Sequence, residues 1–234
     1  MKLLAFNHKM NLLNSEIDKY IEEIKKNDLS NCVFCPSAIY IDKFKKNNIS
    51  VGAQDISFAL KGAYTGDLSI LQLKELGITY SIIGHSERRD YYMDNRFINT
   101  KIQLCLNNDV IPILCVGETL EENENGKTYN VCINEIDKAF IGNVGLEKII
   151  LAYEPIWAIG TDTIPTLDFI ENNVSQIKKY VKSNYGIDIK VLYGGGINED
   201  NIQQLSRLDV LDGFLVGSSS LKVDFIKKII ELNK

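Results

Sequence analysis

The chain has 234 residues, of which 45% are hydrophobic and 24% charged, and its formal net charge is −5 at pH 7. This composition is ordinary for a globular protein, and the mild negative charge gives no reason to expect a nucleic acid or an acidic membrane surface as partner. No apolar run approaches the ~18 residues that a membrane span needs, and polar residues interrupt the first 13 positions, so we expect neither a membrane segment nor a signal peptide but a cytoplasmic protein.

Eight short apolar runs with β-branched character predict eight strands. In chain order they are residues 2–6, 31–35, 49–53, 79–83, 110–116, 148–153, 188–192 and 212–216. Runs of this kind are typical of parallel strands buried on both faces. Helical periodicity lies between them, as in the stripe of Ile17, Tyr20, Ile21 and Ile24.

Strands that alternate with helices predict parallel βαβ units. Eight repeats in so short a chain favour a closed (β/α)8 barrel over an open doubly wound sheet. No linker or change of composition divides the chain, so we expect one domain over residues 1–234.

The second predicted strand contains a C-x-x-C pair, Cys32 and Cys35. A redox pair of this type normally opens a helix, whereas strand alternation sends these two sulfurs to opposite faces. The total of five cysteines is odd, which argues against a secreted disulfide framework. We therefore interpret the cysteines as small buried hydrophobic residues and expect no metal site.

Polar residues and glycines follow seven of the eight predicted strands. They are Asn7-His8-Lys9, Gln54, Gly84-His85-Ser86-Glu87, Gly117-Glu118, Glu154-Pro155, Gly194-Gly195-Gly196 and Gly217-Ser218-Ser219. In a closed parallel barrel these positions converge on one rim, where such barrels carry out chemistry. Alternation sends Asn7 and Lys9 to one face and His8 to the other, so we expect His8 to pack against the helices.

Glu154 and His85 are the candidates for proton transfer at this rim. A carboxylate covered by a loop suits a general base, and the apolar segment 155–165 suits such a lid, although it could equally be packed permanently on the barrel. An imidazole at a helix N-terminus stays neutral and can donate to a carbonyl, and Ser86 can cap the following turn. The glycines after the last two strands predict a phosphate site.

At this point the sequence resembles the triosephosphate isomerase family over essentially its whole length, and the barrel is then a TIM barrel. The segments that carry the resemblance are FNHKMN (6–11), GAQD (52–55), GAYTGD (62–67), IIGHSERR (82–89), LCVGET (114–119), AYEPIWAIGT (152–161), LYGGGIN (192–198) and LVGSSSL (215–221). GHSERR and AYEPIWAIGT are highly specific together.

The resemblance implies a reaction and roles for five residues. It implies that dihydroxyacetone phosphate and glyceraldehyde 3-phosphate interconvert through an enediolate, a step of glycolysis and gluconeogenesis. Glu154 would move the proton, neutral His85 would polarise the carbonyl, Lys9 would stabilise negative charge, Asn7 would position the substrate, and Glu87 would support the site.

The resemblance also implies a phosphate site and an assembly. The phosphate would rest on backbone N–H groups of Gly160, Gly196, Gly217 and Ser218, without a metal or a cofactor. The loop of residues 55–67, from Asp55 to Asp67 with Thr65 near its tip, would enter a second subunit and make a homodimer.

Five departures from the family pattern concern the lid and the phosphate contacts, not the reaction. The family usually has Trp at His8, Glu at Asp67, Ser at Gly196 and Gly at Ser218, and it often has Gly-Lys around Asp162. Because Gly196 has no hydroxyl to hold the closed lid, we expect closure to be weaker by roughly threefold to tenfold. Asp162 could replace this latch or could simply face solvent.

Two other functions stay open on the residues alone. A Schiff-base aldolase would need an amine at an interior strand end, and Lys9 qualifies formally, whereas Lys148 lies at the wrong end of its strand. A barrel that has lost catalysis and serves as a binding protein is the other, although Glu154, His85 and Lys9 are all present.

Overall fold

The computed structural model describes residues 1–161 and 163–233 and has the alternating strands and helices that the sequence predicts. The strands are β1 (Leu3–Asn7), β2 (Cys32–Cys35), β3 (Gly52–Ala53), β4 (Tyr80–Ile83), β5 (Ile111–Val116), β6 (Ile150–Tyr153), β7 (Lys190–Tyr193) and β8 (Gly213–Val216). The helices are α1 (Asn14–Ile24), α2 (Ile41–Lys46), α3 (Ile70–Glu75), α4 (Ser86–Tyr92), α5 (Ile98–Asn107), α6 (Leu120–Glu124), α7 (Thr128–Phe140), α8 (Leu167–Tyr185), α9 (Ile202–Leu205) and α10 (Val223–Glu231).

The eight strands form one parallel sheet in the order β2-β1-β8-β7-β6-β5-β4-β3. The first and last strands are neighbours, since Leu3 of β1 lies opposite Gly213 of β8. Between β2 and β3 the sheet is joined by a bridge from Phe34 to Val51, and the Phe34 N–H donates to the Ser50 carbonyl at 3.0 Å. The predicted closed (β/α)8 barrel is therefore confirmed.

Two apolar clusters fill the protein, one inside the barrel and one between the strands and the helices. The inner cluster is Ala5, Val33, Cys35, Ile82, Ile113, Cys115, Ile150, Ala152, Leu192 and Leu215. Because successive strand residues point to opposite faces, their neighbours, such as Leu4 and Phe6, belong to the outer cluster. The predicted stripe of α1 also packs in this outer cluster.

Seven of the eight strands are shorter in the structure than predicted, and two of them are shorter by more than one residue. The third, predicted at residues 49–53, is reduced to Gly52 and Ala53, preceded by the bridge at Val51. The sixth begins at Ile150 because a 3₁₀ turn occupies Leu146–Lys148. Apolar content alone does not separate a strand from the turn that leads into it, since both bury their side chains.

The cysteines have the structural role that the sequence predicts. Cys32 lies in the outer cluster and Cys35 in the inner one, so their sulfurs occupy opposite faces of β2. All five cysteines are free and buried. Burial raises the pKa of the Cys32 and Cys35 thiols to about 12 each, which disfavours the reactive thiolate.

None of the helices in residues 1–161 and 163–233 is long and apolar enough to cross a membrane.

Candidate active site

A cavity of about 290 Å³ opens at the carboxyl ends of the strands. Eight of the nine site residues expected from the sequence line it, namely Asn7, Lys9, His85, Glu154, Gly160, Gly196, Gly217 and Ser218. The ninth, Glu87, contacts two of them from the side. These residues come from segments up to 211 positions apart, and only closure of the barrel brings them together.

Glu154 projects into this cavity from the residue after β6. Its backbone N–H donates to the Val116 carbonyl at 2.8 Å, which continues the pairing of β6 with β5. A Cβ on Gly194 would lie 2.7 Å from the Glu154 Cγ, and a Cβ on Gly117 would lie 1.8 Å from its backbone oxygen. Glycine at both neighbouring strand ends is therefore required for the carboxylate to occupy this position.

The Glu154 side chain is almost fully buried, with 3% of the residue exposed. Its Oε1 lies 3.5 Å from His85 Nε2, while its Oε2 has no hydrogen-bond partner within the part of the chain that the structure describes. A desolvated carboxylate with one oxygen unpartnered beside a cavity is suited to accept a proton from a bound molecule.

His85 directly follows Gly84 at the end of β4 and caps helix α4 with its own ring. The Glu87 N–H donates to His85 Nδ1 at 3.2 Å, so Nδ1 is an acceptor and Nε2 carries the proton of the neutral imidazole. The prediction that Ser86 caps this turn is wrong, because Ser86 is the first helical residue and the His85 side chain is the cap. This cap determines the tautomer of His85 and leaves its Nε2–H directed at the cavity.

Lys9 reaches the same cavity from the residues after β1. Its Nζ lies 2.7 Å from Glu87 Oε1, and its backbone N–H donates to Asn7 Oδ1 at 3.1 Å. The Lys9 backbone is left-handed, with φ of 52°, and its carbonyl accepts from Gln54 Nε2 at 2.7 Å. Glu87 therefore joins the Lys9 ammonium after β1 to the His85 imidazole after β4.

The expected phosphate residues line the same cavity. Three consecutive glycines, at positions 194–196, follow β7, and a 3₁₀ turn at Ser218–Leu221 follows β8. Backbone N–H groups of such loops and turns are suited to bind an anion. The Ser219 hydroxyl donates to the Ile197 carbonyl at 2.7 Å and ties the two loops together. Lys222 also lines the cavity, although nothing in the sequence singled it out.

The apolar segment after Glu154 begins with a 3₁₀ turn, Ile156–Ala158, that is anchored to Glu118. The Trp157 indole N–H donates to Glu118 Oε1 at 2.8 Å, and the Ile156 N–H donates to the Glu118 carbonyl at 3.0 Å. Burial raises the pKa of the Glu118 carboxyl, and the bond from Trp157 lowers it in part. The sequence marked Glu118 only as a strand end, because its partner lies 39 residues away.

Gly196 and Asp162 were expected to bear on lid closure. A Cβ on Gly196 would lie 2.9 Å from the Ala158 carbonyl, so glycine allows the base of the segment to pack closely on the loop after β7. Asp162 lies outside the described residues.

The other sequence candidates lie elsewhere. His8 is fully buried in the outer cluster, as expected, beside Tyr20, Phe34 and Phe44. Lys148 lies in the turn before β6, half exposed, at the end of the barrel opposite the cavity.

Comparison with known proteins identifies a single family. The family model described as triosephosphate isomerase matches residues 2–233. A triosephosphate isomerase of Buchnera aphidicola subsp. Baizongia pistaciae is 37% identical over 247 residues, covering 98% of each chain. One of Clostridium tetani is 38% identical over 97% of this chain and 95% of its own, and one of Mesomycoplasma hyorhinis is 41% identical over 92% and 88%.

Proposed function

The chain belongs to the triosephosphate isomerase family, and we propose that it isomerises triose phosphates with Glu154 as the base and neutral His85 as the electrophile. Residues 1–234 would form a single catalytic domain that acts in the cytoplasm and needs no cofactor or metal. The observation that carries the proposal is the pair itself: Glu154 Oε1 and His85 Nε2 lie 3.5 Å apart in a buried rim cavity, with Glu154 Oε2 unpartnered among the described residues.

The proposed proton transfer uses the Glu154–His85 pair. Glu154 takes a proton from the hydroxyl-bearing carbon of dihydroxyacetone phosphate, and the electron pair of the broken C–H bond forms a C=C bond. The carbonyl oxygen gains the negative charge, which the Nε2–H of His85 stabilises by a hydrogen bond. After the oxygens exchange a proton through His85, Glu154 returns its proton to the neighbouring carbon and glyceraldehyde 3-phosphate results.

Lys9 and Asn7 would act on the same oxygens. The Lys9 ammonium brings positive charge to the developing enediolate, and the bond from its own N–H to Asn7 Oδ1 orients the Asn7 amide. Glu87 supports both electrophiles, since it holds Lys9 Nζ by its carboxylate and His85 Nδ1 by its backbone N–H.

Gly160, Gly196, Gly217 and Ser218 would hold the phosphate by backbone N–H groups, as the resemblance implies. Segment 155–165 would close over the substrate and exclude water, which strengthens every electrostatic interaction inside. The anchoring of its first turn on Glu118 and the left-handed Gly160 support a lid that moves as a unit beyond its base.

A coupled isomerase assay tests the proposal. Glyceraldehyde 3-phosphate should be converted to dihydroxyacetone phosphate with no added metal or cofactor and in the presence of a chelator. Absence of turnover by folded protein that still binds inorganic phosphate would favour a binding protein. Borohydride trapping with substrate should leave Lys9 unmodified, because its Nζ is paired with the Glu87 carboxylate at 2.7 Å.

We further propose a homodimer formed through the loop of residues 55–67. The Ser57 hydroxyl donates to Asp67 Oδ2 at 2.6 Å, which closes the base of this loop, and the Phe58 ring stacks on Phe97 with centroids 4.0 Å apart. Thr65 and Tyr64 are exposed near its tip. Large apolar side chains are also exposed after β1 and at the end of α4, namely Met10 at 94% exposure and Tyr91 and Met93 at 78% each. Exposed apolar surface of this extent is typical of an interface.

Sedimentation at micromolar concentration tests the dimer. Thr65→Arg should give a monomer with greatly reduced turnover, since the loop would buttress Asn7 and Lys9 in the other subunit. Val144→Arg changes another exposed loop site and should remain a dimer. A fully active monomer of the parent protein would exclude this assembly.

A further inference from the structure

Behind the cavity, the Arg89 side chain lies between the ends of β4 and β5 and uses every nitrogen of its guanidinium. Its Nε donates to the Gly84 carbonyl at 2.7 Å, and its Nη2 donates to the Cys115 carbonyl at 2.8 Å. Its Nη1 donates to Asn95 Oδ1 at 2.6 Å and lies 3.1 Å from Glu135 Oε1. One side chain thus binds two adjacent strand ends at once.

Glu135 of α7 completes the arrangement. While its Oε1 faces Arg89, its Oε2 accepts the Gly117 backbone N–H at 3.0 Å. Only 11% of the Arg89 side chain and 17% of the Glu135 side chain are exposed, so solvent screens this ion pair little. Burial raises the pKa of the Glu135 carboxyl, and the nearby Arg89 guanidinium lowers it in part.

The backbone atoms that the pair holds belong to the segments that carry the chemistry. Gly84 directly precedes His85, and its left-handed backbone, with φ of 71°, brings it against the Arg89 guanidinium. Gly117 directly precedes Glu118, which receives both the Trp157 indole and the Ile156 N–H at the base of the lid. The ion pair therefore links the electrophile to the lid anchor without touching the cavity.

We propose that Arg89 and Glu135 act as a positioning pair that keeps His85 and the Glu118–Trp157 anchor in fixed relative geometry during catalysis. This rests on the proposed isomerase mechanism. A hydrogen-bond donor aimed at a developing oxyanion loses effect when it moves by a fraction of an ångström, and a fork of hydrogen bonds to two strand ends restricts such movement. A lysine in place of Arg89 keeps the charge but cannot make the planar set of contacts.

The test uses Arg89→Lys, Glu135→Gln and the double variant of the full chain. We expect each single variant to lower kcat for glyceraldehyde 3-phosphate by about tenfold or more, with KM within about threefold, because the pair does not contact substrate. The double variant should be no worse than the worse single one, since the two residues act as a unit. Glu135→Gln is nearly isosteric and remains informative where Arg89→Lys does not fold.

The only tryptophan of the chain supplies a second measurement that does not depend on activity. Trp157 fluorescence should shift to the red in both variants, because the Glu118 carboxylate that holds its indole loses support. This shift is expected even from a protein without isomerase activity. The fluorescence therefore tests the positioning role of Arg89 and Glu135 separately from the proposed function.

A matched control lies at the other end of the barrel. Lys178 Nζ pairs with Asp212 Oδ2 at 2.6 Å, and the same carboxylate accepts the Val191 backbone N–H at 2.8 Å. Asp212→Asn should lower stability yet leave kcat and the Trp157 spectrum unchanged. If the Arg89 and Glu135 variants also lose only stability, keeping kcat within about twofold and the parent spectrum, the pair is structural and the proposal is overturned.

Discussion

The two histidines of this chain lie in two differently organised regions, the outer cluster and the rim cavity. Both side chains are buried, His8 completely and His85 with 5% exposure. His8 Nε2 donates to the Tyr20 hydroxyl at 2.9 Å, which itself donates to the Ser220 carbonyl, while Nδ1 has no partner in the described part of the chain. His85 instead uses Nδ1 as an acceptor and presents Nε2–H to Glu154 and the cavity.

Burial alone therefore does not distinguish an imidazole that is suited to proton transfer from one that only packs in the core. His8 is enclosed by aromatic rings, and burial lowers its pKa to about 3. What sets His85 apart is that its free N–H points into a space that a molecule can enter. The two regions should therefore respond to substitution in opposite ways, one in rate and the other in stability.

The largest effect should come from the carboxylate that faces His85. Glu154→Gln keeps the shape of the cavity and should retain the fold and the binding of a phosphate-bearing ligand. Turnover should fall by roughly a thousandfold or more, because an amide cannot accept the proton. Steady-state kinetics with parallel unfolding curves measure both. Turnover within about tenfold of the parent would mean that another group is the base.

Substitution of the two histidines tests the comparison directly. His85→Gln should lower kcat by roughly a hundredfold or more, because it displaces the imidazole N–H donor aimed at the developing oxyanion. His8→Phe should leave kcat near the parent value at pH 7.5. Equal losses of activity in the two variants would contradict the inference that His85 acts on the substrate while His8 is structural.

The stability effect of His8 should depend on pH. Because the pKa of His8 is about 3 in the folded protein and its ordinary value is 6.5, the unfolded chain binds a proton between these two pH values and the folded chain does not. Stability linked to His8 is fully present above pH 6.5 and is lost as the pH falls toward 3, by up to about 1.4 kcal/mol per pH unit.

Urea unfolding of the parent and of His8→Phe between pH 4.5 and 7.5 measures this dependence. Carboxylates titrate in both proteins, so the difference between the two curves isolates His8. The difference should change below pH 6.5 in favour of His8→Phe and stay constant above it. Parallel curves over the whole range would show that His8 does not titrate on unfolding.

The smallest effect is expected at Gly196, where the loop after β7 packs on the first turn of segment 155–165. A Cβ there would lie 2.9 Å from the Ala158 carbonyl, so Gly196→Ala should weaken the binding of a phosphate-bearing enediolate analogue a few-fold. Gly196→Ser adds the same Cβ together with a hydroxyl and should bind the analogue about threefold to tenfold more tightly than Gly196→Ala. Equal affinities of the two variants would exclude a hydroxyl latch at this position.

Local patterns in the sequence determined the architecture of this protein. Eight apolar runs alternating with helical stripes are sufficient to predict a parallel barrel, because each pattern reflects burial of one element against its immediate neighbours. Strand alternation likewise predicted that His8 faces the helices and that Asn7 and Lys9 face the rim. The sequence also predicted which residues line the cavity, because Glu154, His85, Lys9 and the glycines all follow strand ends.

Only the tertiary structure decided how these residues are held. The tautomer of His85 depends on a backbone N–H two residues away, and the lid anchor joins Trp157 to Glu118 across 39 positions. Arg89 and Glu135, 46 residues apart, had no sequence signal at all, since a buried ion pair and two solvated charges look the same in one dimension. The pairing of β5 with β4 and with β6 creates these contacts, because it places the ends of the three strands side by side.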